Sequence, residues 1–164
     1  MKQVCSYLWK GLFVIYVLIL LKAVVFKLPT DLMRTLVDSW DETVVRNGMA
    51  GANFTPFRTI DMYIRYWGWG SLRSFENLIG NVIAFMPFGI FLPSIWKSCR
   101  NVFICAGYGL TFVLGIELFQ MFSGFGVFDV DDIILNCAGI MIGYVLYLLW
   151  DLFKNRCTKR VKTV

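Results

Sequence analysis

The chain alternates long apolar runs with short polar breaks. Runs at about 8–28, 75–96, 102–122 and 132–150 consist mostly of Leu, Ile, Val, Phe, Tyr and Gly. Crossing the hydrocarbon of a bilayer takes roughly 17–25 mainly apolar residues in a helix, so each run predicts a transmembrane helix. The first follows Lys2 and Lys10 as a signal peptide would, but no small-x-small cleavage site comes after it, so it reads as a retained helix.

The stretch 29–74, between the first two runs, has a different period. From Thr30, a good N-cap residue, Leu32, Met33, Leu36, Val37 and Trp40 recur at helical spacing, while Asp31, Arg34, Thr35 and Asp38 take the other face. This predicts an amphipathic helix lying flat in the headgroup region. Thr59 to Gly70 carries Tyr63, Tyr66, Trp67 and Trp69, ring types that favour the membrane interface. The segment between them, 47–57, is rich in turn-forming residues. The expected fold is an all-α integral membrane protein: one domain over 1–164, with four transmembrane helices, a long external loop carrying an interfacial helix, and a basic tail at 151–164.

Composition agrees. The chain is 58% hydrophobic and 16% charged, against about 25% charged in soluble domains. Charge adds orientation, because Lys and Arg are kept on the cytoplasmic side. Lys2 and Lys10, Lys97 and Arg100, and the tail residues Lys154, Arg156, Lys159, Arg160 and Lys162 define one side. The loop at 123–131 holds acids and no base, so both termini are expected in the cytoplasm. The net charge of +5 is this topology signal plus a tail near anionic lipid, and nucleic acid is not an expected partner. Cys5, Cys99 and Cys157 fall on the cytoplasmic side and Cys105 and Cys137 within helices, with no metal-ligand spacing. The absence of His excludes a conventional zinc site and a His-based nucleophile triad. No cofactor is expected.

The polar exceptions inside the apolar runs share one depth. At 1.5 Å of rise per residue, Lys22 lies roughly 9 Å below the outer end, Asn81 and Asn136 about 6 Å, and Glu117 about 8 Å, with Gln120 above it. Asp132, Asn136, Gly139 and Gly143 form a stripe on the last helix, and Asn77 and Asn81 begin another on the second. Gly139 and Gly143 predict close approach of a neighbouring helix, and Pro87 predicts a bend at mid-membrane. Amides often join helices as hydrogen-bonding glue worth about 0.6 kcal/mol per contact. Glu117 and the aspartates fit that role poorly, since an ionised carboxylate must avoid lipid. A Lys22–Glu117 ion pair is the simplest compensation, and a polar pocket near the outer face is the functional reading.

Four blocks of residues resemble the VanZ family, small membrane proteins named after a protein associated with low-level teicoplanin resistance. Asn53, Pro56 and Phe57 match N-x-x-P-F; Asn81, Phe85, Pro87 and Gly89 match N-x-x-x-F-x-P-x-G; Glu117 and Gln120 match E-x-x-Q. Asp129, Asp132, Asn136, Gly139 and Gly143 match the last block, D-x-x-D-x-x-x-N-x-x-G-x-x-x-G, and Gly126 stands where many relatives carry Arg. The resemblance implies a multi-pass protein of the bacterial plasma membrane and a role in glycopeptide susceptibility. The cluster Asn53, Asn81, Glu117, Gln120, Asp129, Asp132 and Asn136 is then expected to bind an amphiphile: a membrane lipid, a lipid-linked cell-wall intermediate or a lipoglycopeptide. The alternative is an enzyme acting on an envelope lipid, with carboxylates as acid and base or as metal ligands. A transporter would need repeats around a midplane site, and no internal repeat is present. Oligomeric state is left open by the sequence.

Overall fold

A computed structural model describes residues 2–25 and 30–162, with side chains described at 6–25, 31–72, 74 and 76–154. The end of the first expected helix, at 26–28, lies outside the described residues. Seven α-helices follow in order: α1 (Lys2–Val24), α2 (Thr30–Asp38), α3 (Glu42–Gly51), α4 (Arg58–Gly68), α5 (Leu72–Ile95), α6 (Val102–Ser123) and α7 (Val130–Lys162), with a 3-10 turn at Lys97–Arg100. Their boundaries have local causes. Asp41 caps α3 through the amides of Thr43 and Val44, Ser71 caps α5 through Ser74, and Asn101 caps α6 through Phe103 and Ile104. Gly124 ends α6 in the left-handed region at φ 74°, where a side chain would be strained.

Four helices are long and apolar enough to cross a membrane, over Ser6–Val24, Glu76–Ile95, Val102–Ser123 and Val130–Lys154. Side-chain pairings fix their directions. Trp9 meets Phe91, Phe13 meets Phe88, and the Tyr16 hydroxyl donates to Ala84 O at 2.7 Å, so α1 and α5 are antiparallel. Gly109 packs on Ile140 while the Asp129 amide donates to Glu117, so α6 and α7 are antiparallel too. Val82 faces Gly139 and Met86 faces Gly143, a constant offset that makes α5 and α7 parallel. The four therefore alternate up and down, as sequential spans must.

The α5–α7 contact is backbone on backbone. A Cβ at Gly139, Gly143 or Gly89 would fall inside the van der Waals radius of the carbonyls of Val82, Met86 and Ile140 respectively. The small-residue spacing does what it predicts in α7. Phe85, Phe88, Leu92, Val113, Ile116 and Ile140 fill the space around this pair, while Leu12, Ile15, Leu18, Phe103 and Leu149 stay exposed, as lipid-facing side chains do. Pro87 and Pro93 lie inside α5, which continues as one helix from Leu72 to Ile95.

Two expectations change. The turn-rich segment at 47–57 is half helix, because α3 runs to Gly51; the buried Gly48 lets it pass directly over the backbone of Met121. The basic tail continues α7 to Lys162 and is not a separate element. The former loop is thus a helical strap, α2–α4, across one end of the bundle, here called the strap end. Trp40 Nε1 donates to Phe122 O at 2.9 Å, and Gly124 packs on Val44 and Leu36.

Candidate functional site

The strap end gathers residues from α5, α6, α7 and the α3–α4 connection. Asn53 and Asp129 form an isolated parallel bridge, with Asn53 N donating to Phe128 O (2.8 Å) and Val130 N to Asn53 O (3.0 Å). Their side chains join as well: Asn53 Nδ2 donates to Asp129 Oδ1 at 2.9 Å and to Thr59 Oγ1 at 3.1 Å, and Thr59 Oγ1 donates to Asp129 Oδ2 at 2.6 Å. Glu117, 1% exposed, accepts the Asp129 amide at 3.1 Å. Asn81 Nδ2 donates to Asp132 Oδ1 at 2.9 Å. Of the seven expected residues, Asn53, Asp129 and Glu117 therefore meet in one network, and Asn81 and Asp132 form a second pair joining α5 to α7.

Gln120 and Asn136 are placed differently. Gln120 Nε2 donates to Val24 O at 3.1 Å, which satisfies a terminal carbonyl of α1 and ties that helix to α6. Asn136 is 1% exposed, and its Oδ1 accepts no hydrogen bond from the described residues. An open buried acceptor costs about 1–3 kcal/mol, which makes it the anomaly of the site.

Of the expected Lys22–Glu117 pair, Lys22 lies on an exposed face of α1, and Glu117 accepts the Asp129 amide. Among the described residues the ion pair seen is Arg65–Asp61, an exposed i,i+4 pair on α4. A buried carboxylate needs donors close to its oxygens, and an amide at fixed distance supplies one.

Asp131 was not among the expected site residues, yet it is fully buried and organises the strap. Its Oδ1 accepts Phe57 N at 2.5 Å, and its Oδ2 accepts Thr59 N at 2.6 Å and Ile60 N at 3.1 Å. Those are orphan amides at the start of α4, whose N-cap residue Phe57 supplies no side-chain cap. Asp131 thus caps α4 from another helix, with negative charge at the positive end of that helix's dipole. The clasp holds Phe57 at φ 66°, a conformation that costs a non-glycine residue of order 1 kcal/mol or more. Pro56 and Phe57 are therefore part of the join between strap and bundle. Tyr63, also missed, lies against the same acids. Burial first, and then the charges of Asp132 and Asp129, push its phenol above the ordinary value, against an opposing hydrogen bond with Asn77. It remains a neutral hydroxyl at physiological pH.

No three His, Cys, Asp or Glu side chains gather as metal ligands among the described residues. The acid oxygens are aimed at amides and hydroxyls. This chemistry suits recognition of hydroxyl, amide or ammonium groups.

Fold and site together define an all-α membrane protein whose bundle is closed at one end by a carboxylate–amide cluster under a helical strap. The family profile described as VanZ/LLP1 matches residues 13–151, and the chain belongs to that family. It is also similar to Protein VanZ of Enterococcus faecium, with 27% identity over 147 residues, covering 90% of this chain and 78% of that protein. No solved structure is a significant match.

Proposed function

We propose that this protein acts in the cell envelope as a VanZ-type membrane protein, contributing to resistance to teicoplanin-like lipoglycopeptides by holding the headgroup of an amphiphile at the strap end. The strap end faces outward, and both termini lie in the cytoplasm. The open Oδ1 of Asn136 carries this reading. A cluster serving only to glue helices would satisfy its most buried acceptor, whereas a binding site leaves one for its ligand. Asp132 lies one turn before it on α7, and Glu117 and Asp129 add carboxylates to the same end of the bundle. The distribution of Lys and Arg supports the orientation.

Expression in a susceptible bacterium should protect more against acylated glycopeptides such as teicoplanin than against non-acylated vancomycin. Glu117→Gln and Asp132→Asn should abolish that protection while the protein stays in the membrane at normal levels. Equal protection against both drugs would favour the enzyme that remodels their shared target; protection surviving both substitutions would return these residues to a structural role. Orientation has its own check. A cysteine at Val127, which is exposed, should react in intact cells with an impermeant thiol reagent, and native Cys157 should not. Labelling of Cys157 alone would reverse the topology.

A further inference from the structure

A second feature lies directly below the polar cluster, on the lipid-facing side. A cavity of about 410 Å³ runs between α1 and α6, lined by Leu21 and Val25 on one side and by Thr111, Phe112, Gly115, Ile116 and Phe119 on the other. It is apolar in effect, because the Thr111 hydroxyl is already bonded to Gly107 O at 2.9 Å. Its floor is empty: a Cβ at Gly115 would meet nothing within 4 Å. From Thr111 to Phe119 the groove climbs roughly 12 Å along the helix axis. At its top the lining residue Val25 follows Val24, whose carbonyl accepts from Gln120 Nε2 at 3.1 Å, so the groove ends beside the hydrogen-bonding layer.

We infer that this groove holds a single acyl chain, the tail of the amphiphile whose headgroup occupies the strap-end cluster. This rests on the proposed function for the identity of the headgroup site. Three observations favour a chain over other occupants. Both walls belong to helices that qualify as membrane spans, so the groove opens to hydrocarbon and not to water. Its volume is near the low end of the roughly 300–1,000 Å³ of ligand pockets, enough for one slender chain and too little for a packed helix. Its upper end also lies beside the Gln120–Val24 hydrogen bond, next to the polar layer, so one molecule can reach from the groove to the cluster. The tail thereby becomes a determinant of recognition, separate from the headgroup.

The test fills the groove without touching the cluster. Gly115→Phe has open space to occupy and should place its ring where the tail lies, while Gly107→Phe, also in open space but outside this groove, is the control. In teicoplanin challenge, Gly115→Phe should lose the protection and Gly107→Phe should keep it. Binding is read independently with purified protein in nanodiscs and a single-chain glycolipid bearing a diazirine near the end of a ten-carbon tail. Photolabelling should fall on Leu21, Phe112 or Phe119, saturate with probe concentration, and disappear in Gly115→Phe. If Gly115→Phe protects as wild type while Glu117→Gln does not, the polar site stands and the groove is overturned. If wild type gives no protection at all, the proposed function falls and photolabelling decides alone: saturable labelling supports the groove, and labelling that never saturates reduces it to ordinary lipid contact.

Discussion

Gly139→Leu should prevent accumulation of folded protein. The position faces the carbonyl of Val82 with no room for even a methyl group, and the atom in the way is backbone. A flexible side chain could swing aside, but a helix backbone cannot, so α5 and α7 must separate along their length. Overpacking an ordinary core costs about 1–3 kcal/mol, and here that is the minimum, because the displaced contact also carries Gly143 and Gly89. Detergent-extracted Gly139→Leu should give little monodisperse protein in size-exclusion chromatography. Gly107→Leu, with nothing within 4 Å of its Cβ position, should behave as wild type. Equal yields for the two would mean that the α5–α7 contact is looser than described.

The second large effect is expected at Asp131 and should be local. Asp131→Asn removes one acceptor oxygen and turns an NH₂ group toward amides that already donate. One or two orphan N–H groups at the start of α4, depending on which oxygen is replaced, then lose their partner, each worth about 1–3 kcal/mol if it stays buried. The protein avoids that cost by letting α4 go. Hydrogen exchange should therefore accelerate by orders of magnitude in 57–68 while the amides of α5–α7 keep their protection. Trypsin should cut at Arg58 or Arg65 in the variant and not in wild type. Unchanged exchange in α4 would show that its other contacts suffice and that the clasp is incidental.

The spans and the strap's first helix were legible because periodicity reports burial directly: Leu32, Leu36 and Trp40 repeat at 3.6 residues, and the long runs have no competing reading. The common layer of Asn81 and Glu117 was legible for a related reason, since counting helical rise puts them at one depth, whereas Asn53 and Asp129 lie outside the expected spans and were singled out by the family blocks. The partners were not. Depth says which residues can meet, but which way Lys22 points depends on how α1 is rotated, and nothing in its nearly uniform apolar surface fixes that. Asp131 was hidden because its role is a cap in trans, and cap signals are read from neighbours in sequence. The one available sign was negative: α4 begins at Phe57, without Ser, Thr, Asp or Asn at its start. α3 was obscured by Gly48 and Gly51, which look like breakers, although Gly48 is there to let the backbone of α6 pass close.

The parallel pairing of α5 with α7 bears on how the protein assembles in the ribosome-bound state. The closest contact in the bundle joins helices that are not neighbours in the chain, so α5 enters the membrane before its partner has been made. The clasp for the strap sits at the start of that same late helix, in Asp131 and in Asp129 just before it. Until α7 emerges, α4 has no cap and the Val82, Met86 and Gly89 face of α5 has no cover. Both are then completed together, which makes insertion of α7 the step that closes the bundle and fastens the strap at once.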